Sequence, residues 1–246
     1  MSPLNDAEQN RRRSEMIRKV WKTMIAVSVA VEKEWQIVLN HYHIPEDTCR
    51  PYPFGSFFSL ELQGKNLLFY LTGARKTNAS AASQYIIDHF HPEKIIAIGT
   101  CAGINPAFHI GDILLPHRAV QVDTTVKELD RLIREDFSVN IDLSQYHFPY
   151  LTGTVGSSDK AVVIWEDYLE LKENGISVAD TESASIAYVC RKNNVPCLII
   201  RGISDFPQEI SFEEASNPDS QQIRNYLKNV PLVMETILSQ YLPEVI

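Results

Sequence analysis

The sequence predicts an α/β protein, a three-layer α/β/α sandwich around a central mixed β-sheet, and three observations carry that reading. Short apolar runs rich in β-branched residues, MIAVSVAV at 24–31, KIIAIG at 94–99 and CLIIRGI at 197–203, have the length and composition of buried strands. Amphipathic helical stripes alternate with them, the order expected of a sheet covered on both faces. FFSLELQ and NLLFYLTG, separated by Gly64-Lys65, read as a hairpin, so antiparallel pairing enters and the sheet is mixed.

Taken in order, residues 1–22 form a partly disordered, solvated tail whose basic cluster is Arg11-Arg12-Arg13, and residues 23–246 form one domain. The strand at 24–31 runs directly into EKEWQIVLNHY, where Trp35, Val38, Leu39 and Tyr42 make a helical stripe. A loop around Pro51, Pro53 and Gly55 leads to the hairpin. An Ala/Ser-rich helix follows at 78–90, then the strand at 94–99 and a turn of small residues, Gly99-Thr100-Cys101-Ala102-Gly103. A strand resumes over 110–115, and the polar, mixed segment 127–150 is left unassigned. Next come a strand at 152–155 ending in the turn Gly156-Ser157-Ser158-Asp159 and a helix at 165–172. A short strand, a helix over 181–194, a turn at Pro196 and the strand at 197–203 follow. Ile223, Leu227, Val230, Val233 and Leu238 are spaced as one closing amphipathic helix over 219–241.

Composition narrows the function. The 246 residues carry 23 Lys and Arg against 31 Asp and Glu, a net charge of −8, which argues against a nucleic-acid or anionic-membrane surface and favours a small partner. Cys49, Cys101, Cys190 and Cys197 show no CxxC pairing and suit the reducing cytoplasm. The first apolar run is too short for an export signal or a membrane span. His41 with His43 and His89 with His91 diverge on a helix and gain no third ligand, so no metal is expected.

The candidate chemistry lies where apolar strands end. Asp205 stands just past one such run, the position where an open parallel sheet binds ligands. Glu182 opens the helix at 181–194 and shares its apolar face with Ile186 and Val189, so it faces inward. Glu34 follows the first strand and enters the same cleft. The small residues at 99–103, 156–159 and 204–205 let a ligand approach backbone N–H groups. A rival reading takes Gly99-Thr100-Cys101-Ala102-Gly103 as a nucleophile elbow, with Cys101 as the nucleophile and His109, His117 or His147 as its base. The helix such an elbow requires has no room before Asn105-Pro106 and Gly111-Asp112.

IIAIGTCAGINPAFHIGDILLP, GSSD and DTESASIAYVCRKNNVPCLIIRGISD together resemble the purine nucleoside phosphorylase and nucleosidase superfamily, most closely the methylthioadenosine/S-adenosylhomocysteine nucleosidases. The resemblance implies hydrolysis of a purine nucleoside. Glu34 would activate water, Glu182 would hold the ribose hydroxyls, and Asp205, with Ser204 beside it, would protonate the purine. It further implies a pocket lined by the backbone of Thr100, Cys101, Ala102 and Gly103 and by Val162, with Phe206 bordering the base. Thr181 stands where the nucleosidases carry a methionine beneath the ribose, and Ala161 where they carry an aromatic that stacks on adenine. Ala97 stands where the phosphorylases carry an arginine, which favours water over phosphate. Phosphorolysis, with Arg75 and Lys76 holding the anion, and a nucleoside-binding protein without turnover are the alternatives. No metal or organic cofactor is implied, and the partner is a small purine nucleoside. A homo-oligomer, with a dimer favoured, is expected by resemblance.

Overall fold

The computed structural model describes residues 24–123, 137–160, 165–209, 212–215, 217 and 219–246. Strand β1 (Met24–Val29) is buried along its whole length and passes into helix α1 (Glu32–His41). Strands β2 (Arg50–Tyr52), β3 (Gly55–Leu62) and β4 (Lys65–Leu71) form an antiparallel meander. Its tight turn places Gln63 at φ 51 and Gly64 at φ 75, the paired left-handed conformation of a two-residue hairpin loop. Helix α2 (Lys76–Phe90) then leads to the long strand β5 (Lys94–Gly103).

Beyond β5 lie the short strands β6 (Ile113–Leu114), β7 (Arg118–Gln121), β8 (Val139–Asn140) and β9 (Thr154–Ser157), followed by α3 (Trp165–Glu173) and β10 (Val178–Asp180). Helix α4 (Ser183–Lys192), strand β11 (Cys197–Asp205), the short α5 (Phe212–Ala215) and α6 (Gln221–Thr236) come next. A π-helical turn, Ile237–Tyr241, and α7 (Leu242–Val245) close the chain. All eleven strands among the described residues join one mixed sheet, with the order β2-β3-β4-β1-β5-β10-β9-β7-β8, with β11 branching from β5 and β6 pairing with β11. Helix α1 packs on α6, and α2 on α4, while both α4 and α6 pack on β11. Gly202 permits this close approach, because a Cβ there would sit 2.2 Å from Val233 Cγ1 and 2.7 Å from Ile113 Cδ1.

The branch at β5 positions the site. Strand β1 runs parallel to β5 only as far as Ala97, and β10 joins antiparallel only at Ala102 and Gly103. β11 follows β5 along its other edge from Ile95 to Ala102. Between the end of β1 and the start of β10, one edge of β5 is therefore left open to side chains, and the backbone N–H groups there need acceptors from elsewhere.

Several expectations are corrected. Residues 99–103 are not a turn: they continue β5, because β11 and β10 pair with them. The strand expected over 110–115 shrinks to two residues, since Gly111 at φ 92 belongs to the turn before it. The closing helix ends at Thr236, and Leu227 is 46% exposed instead of sharing the buried stripe, which Val230, Val233 and Met234 carry. The tail at 1–22, the site positions Ala161 and Val162, and the first part of the unassigned 127–150 segment lie outside the described residues.

Candidate active site

Glu34 lies in the first turn of α1, only 2% exposed, and points at the open edge of β5. Its Oε1 accepts two hydrogen bonds from Thr100, from the backbone N–H and from the hydroxyl, both at 2.7 Å. That backbone N–H is one of the donors the strand branch leaves free. Burial raises the pKa of Glu34, while the Arg201 guanidinium and the Thr100 donors pull it down. Gly99 makes the room: a Cβ there would lie 2.7 Å from Arg201 Nη1 and 3.1 and 3.2 Å from the two carboxyl oxygens of Glu34.

Glu182 is the N-cap residue of α4, not a first-turn residue as the sequence suggested. Its φ of −134° lies outside the helix, which turns the side chain inward. It is 5% exposed. Its Oε1 accepts the backbone N–H of Arg75 at 2.8 Å and the hydroxyl of Thr181. Burial, and then repulsion by Asp180, push its pKa up to about 7 against the pull of Arg201 and of those two donors. Asp205 ends β11 at a register shift in its pairing with β5 and is half-buried. Ser204 Oγ donates to Asp205 Oδ1 at 2.6 Å, and Asn229 of α6 donates to the Ser204 carbonyl at 2.8 Å, which ties the strand end to the helix. Phe206 covers Gly103, where a Cβ would come within 2.3 Å of its ring.

Cys101 is buried within β5, and burial raises its thiol pKa well above the ordinary range. It lies mid-strand with no helix after it, the reverse of an activated nucleophile. Among the described residues, no group of three or more His, Cys, Asp or Glu side chains is placed to hold a metal ion. No described helix is long and apolar enough to cross a membrane.

Two residues that sequence reasoning passed over complete the arrangement. Arg201, in the middle of β11, is 2% exposed and donates from Nε to Asp180 Oδ2 at 2.7 Å. Its buried Nη1 has no hydrogen-bond partner among the described residues, and its charge faces Asp180, Glu182 and Glu34. Burial raises the pKa of Tyr226, on α6, and the charges of Glu34, Asp205 and Glu182 raise it further, against the pull of a hydrogen bond with Thr100. Glu34 and Glu182 thus face one buried guanidinium, and Asp205 pairs with Ala102, two residues beyond the Thr100 that Glu34 holds.

A profile of the phosphorylase superfamily matches residues 24–239, a span that includes every residue just placed. The chain belongs to the phosphorylase superfamily. Among its relatives is the 5'-methylthioadenosine/S-adenosylhomocysteine nucleosidase of Anoxybacillus flavithermus, 28% identical over 217 residues that cover 77% of this chain and 90% of that one. In structure it is similar to the nucleosidase of that kind from Neisseria meningitidis, solved in complex with methylthio-immucillin-A. The TM-score is 0.69 at 20% identity, covering 87% of this chain and 94% of that one. It is also similar to the futalosine hydrolase of Helicobacter pylori, with a TM-score of 0.66 at 20% identity, covering 88% and 96%. At such identities the structural likeness speaks for the fold. Within the superfamily fold, the branch in the sheet at β5 is what gathers the acids.

A signal for Arg201 was present in the sequence. A lone arginine inside CLIIRGI cannot be buried without a carboxylate partner, and Asp180 supplies it. Tyr226 lies three residues after Ile223 and four before Val230, on the apolar face of its helix, and carried no mark beyond that spacing.

Proposed function

We propose that the protein is an N-ribosyl hydrolase that releases the base from a purine nucleoside of the methylthioadenosine or adenosylhomocysteine kind. Glu34 takes a proton from water as the water oxygen bonds to the anomeric carbon. The carbon–nitrogen bond breaks, and Asp205 delivers a proton to the departing purine, so that the base leaves neutral. Glu182 accepts from the sugar hydroxyls. Arg201 Nη1, a buried donor without a hydrogen-bond partner among the described residues, orients the water or the sugar oxygen beside it. One observation carries this reading: Glu34 accepts from Thr100 of β5, Asp205 pairs with Ala102 two residues on, and the Asp180 that holds Arg201 also accepts the backbone N–H of Glu182, so the three acids flank one stretch of the sheet.

The charge balance supports water over phosphate. Asp180, Glu182 and Glu34 surround the single guanidinium of Arg201, a net negative cluster that favours a sugar becoming cationic and repels a phosphate dianion. The names of the relatives support the nucleoside class.

The test is to incubate the protein with methylthioadenosine, adenosylhomocysteine, adenosine and inosine, with and without phosphate, and to follow free base. Release without phosphate is expected. Release only with phosphate would shift the assignment to a phosphorylase, and binding without release to a sensor. The acid limb of kcat/KM should have its midpoint near 7. Glu182 reaches about 7 and offers both oxygens to the sugar only when ionised, and Glu34, also raised by burial, can take a proton only when ionised, so activity falls as pH drops. A profile flat down to pH 5 would remove both acids from these roles.

A homodimer in the cytoplasm completes the reading. Ile110 and Leu151, 47% and 39% exposed, flank β6 with apolar surface that a second copy would cover, and Cys49, Cys101, Cys190 and Cys197 are all free thiols. A monomer in sedimentation equilibrium would refute the dimer.

A further inference from the structure

Taking Glu182 as the sugar-holding acid of the reading above, on which this rests, we infer that Asp159 is a positioning residue for the reaction. From the turn after β9 it fixes the head of α2 so that the Arg75 backbone N–H meets the Glu182 carboxylate. Arg75 is strained. It sits at φ 83 and ψ 157, a region that suits glycine and that a residue with a Cβ holds only where its surroundings impose it. It is the N-cap of α2 and has no acceptor to offer the first turn, because a guanidinium only donates. This strained residue nevertheless gives Glu182 Oε1 a backbone donor at 2.8 Å.

The surroundings that impose the conformation belong to other elements. Asp159 Oδ1 accepts the N–H of Lys76 at 2.9 Å, the capping bond that Arg75 cannot make. The Asp159 carbonyl accepts from Arg75 Nη1, and Asp123 Oδ1, just past β7, accepts from Lys76 Nζ. Asp159 N–H donates to Asp123 Oδ2 at 2.9 Å, which joins the two acids to each other. Against burial, these donors hold the Asp123 carboxyl below its usual range, so the clip stays charged near pH 7. The head of α2 is thus held from two sides, with its first N–H aimed at Glu182.

The sign of the effect separates this role from that of a bystander. Around Glu182, burial and Asp180 on β10 disfavour the ionised form, Arg201 on β11 and the donors Thr181 and Arg75 N–H favour it, and Tyr226 on α6 lies within reach of its charge. Removing the Asp159 charge by itself would make a neighbouring carboxyl easier to ionise. Letting Arg75 relax takes a donor away from the ionised form and makes it harder.

The experiment follows the backbone amide at position 75 by NMR in isotope-labelled protein as pH is varied, beside the pH profile of kcat/KM for methylthioadenosine. The proteins are the native chain, Asp159→Ala, Asp159→Asn, and Arg75→Gly with and without Asp159→Ala. In the native protein the amide should titrate with Glu182, with a midpoint near 7. In Asp159→Ala the amide midpoint and the acid limb should both move up by about one pH unit, the worth of a hydrogen bond to a charged acceptor. Asp159→Asn keeps an oxygen for the Lys76 N–H and should hold the native midpoint. On the Arg75→Gly background, Asp159→Ala should shift the midpoint by less than about half as much, since glycine takes this conformation without strain. Midpoints are read on folded molecules, so a loss of folded material leaves them in place. An Asp159→Ala midpoint equal to or below the native one would overturn the inference, as would a full shift in Asp159→Asn or on the glycine background. Should the amide midpoint rise while the acid limb of kcat/KM stays put, the assignment of Glu182 to the reaction fails alone, and the placement of its donor by Asp159 stands.

Discussion

Replacing Glu34 with Gln should lower kcat by about 10²- to 10⁴-fold, the usual contribution of a positioned general base. The substitution is close to isosteric. The amide oxygen of Gln can accept the same two hydrogen bonds that Thr100 gives to Oε1, so the open edge of β5 stays satisfied and the fold survives. What disappears is the capacity to take a proton. Substrate affinity should change only a few-fold, because Glu182 and the base-side residues are untouched.

The same variant should melt no lower than the native protein at pH 8. Burial raises the pKa of Glu34, so the folded state binds its proton more tightly than the unfolded chain does, and the ionised form is a cost to folding above that pKa. A neutral side chain removes the cost. Thermal unfolding read beside single-turnover base release separates the two effects, and a kcat within tenfold of native would end the role assigned to Glu34.

Much of the frame was legible because it follows from local pattern. The β1-to-α1 junction that delivers Glu34 was visible in an apolar run followed at once by a helical stripe, and the hairpin in two strand-like runs around Gly64, although its loop pair is Gln63-Gly64 and not Gly64-Lys65, since Lys65 already belongs to β4. The stretch at 99–103 was misread for a physical reason. Small residues at a strand end usually signal a turn, but here they serve packing within a continuing strand, where Gly99 admits the side chains of Arg201 and Glu34 and Gly103 admits the ring of Phe206. Its pairing partners, β10 and β11, lie about 75 and 100 positions further along the chain, and no local window contains them. Glu182 was placed on the correct helix but one step too far inside it, because capping geometry and first-turn geometry share the same residue preferences at this resolution of reading. Arg201 illustrates the remaining gap. A periodicity count treats one charge in an apolar run as an interruption, whereas the fold uses it as the counter-ion of a cluster assembled from three separate elements.

Replacing Arg201 with Met should therefore be the most damaging single change to stability, about 3–5 kcal/mol at pH 8, since removing one partner of a buried pair leaves the other charge without compensation. Asp180 is the group most exposed to this loss. Its Oδ2 receives Arg201 Nε at 2.7 Å, and both side chains are 2% exposed, so water cannot take the place of the guanidinium. Glu182 and Glu34 lose its attraction as well, and attraction to Arg201 is among the effects that lower their pKa values. The sign of the pH dependence follows. With the guanidinium gone the folded pKa values of Glu34 and Glu182 rise further above their unfolded values, and a group whose folded pKa is raised gives stability as pH falls through it. The deficit should accordingly shrink on going from pH 8 to below 7, the value already reached by Glu182 in the native protein. Urea unfolding at several pH values reads both the size and the slope. Adding Asp180→Asn to Arg201→Met should recover a large part of the loss, because a buried ion pair replaced on both sides costs far less than one broken on a single side. Ser157 and Ser183 now donate to different oxygens of Asp180; with Asn one hydroxyl can still donate to the side-chain carbonyl and the other can rotate to accept from the amide NH2, so the recovered fold keeps the head of α4 and the placement of Glu182. A loss below about 1 kcal/mol in the single variant, or no recovery in the double, would show that the cluster is solvated and that Arg201 does not hold these acids together.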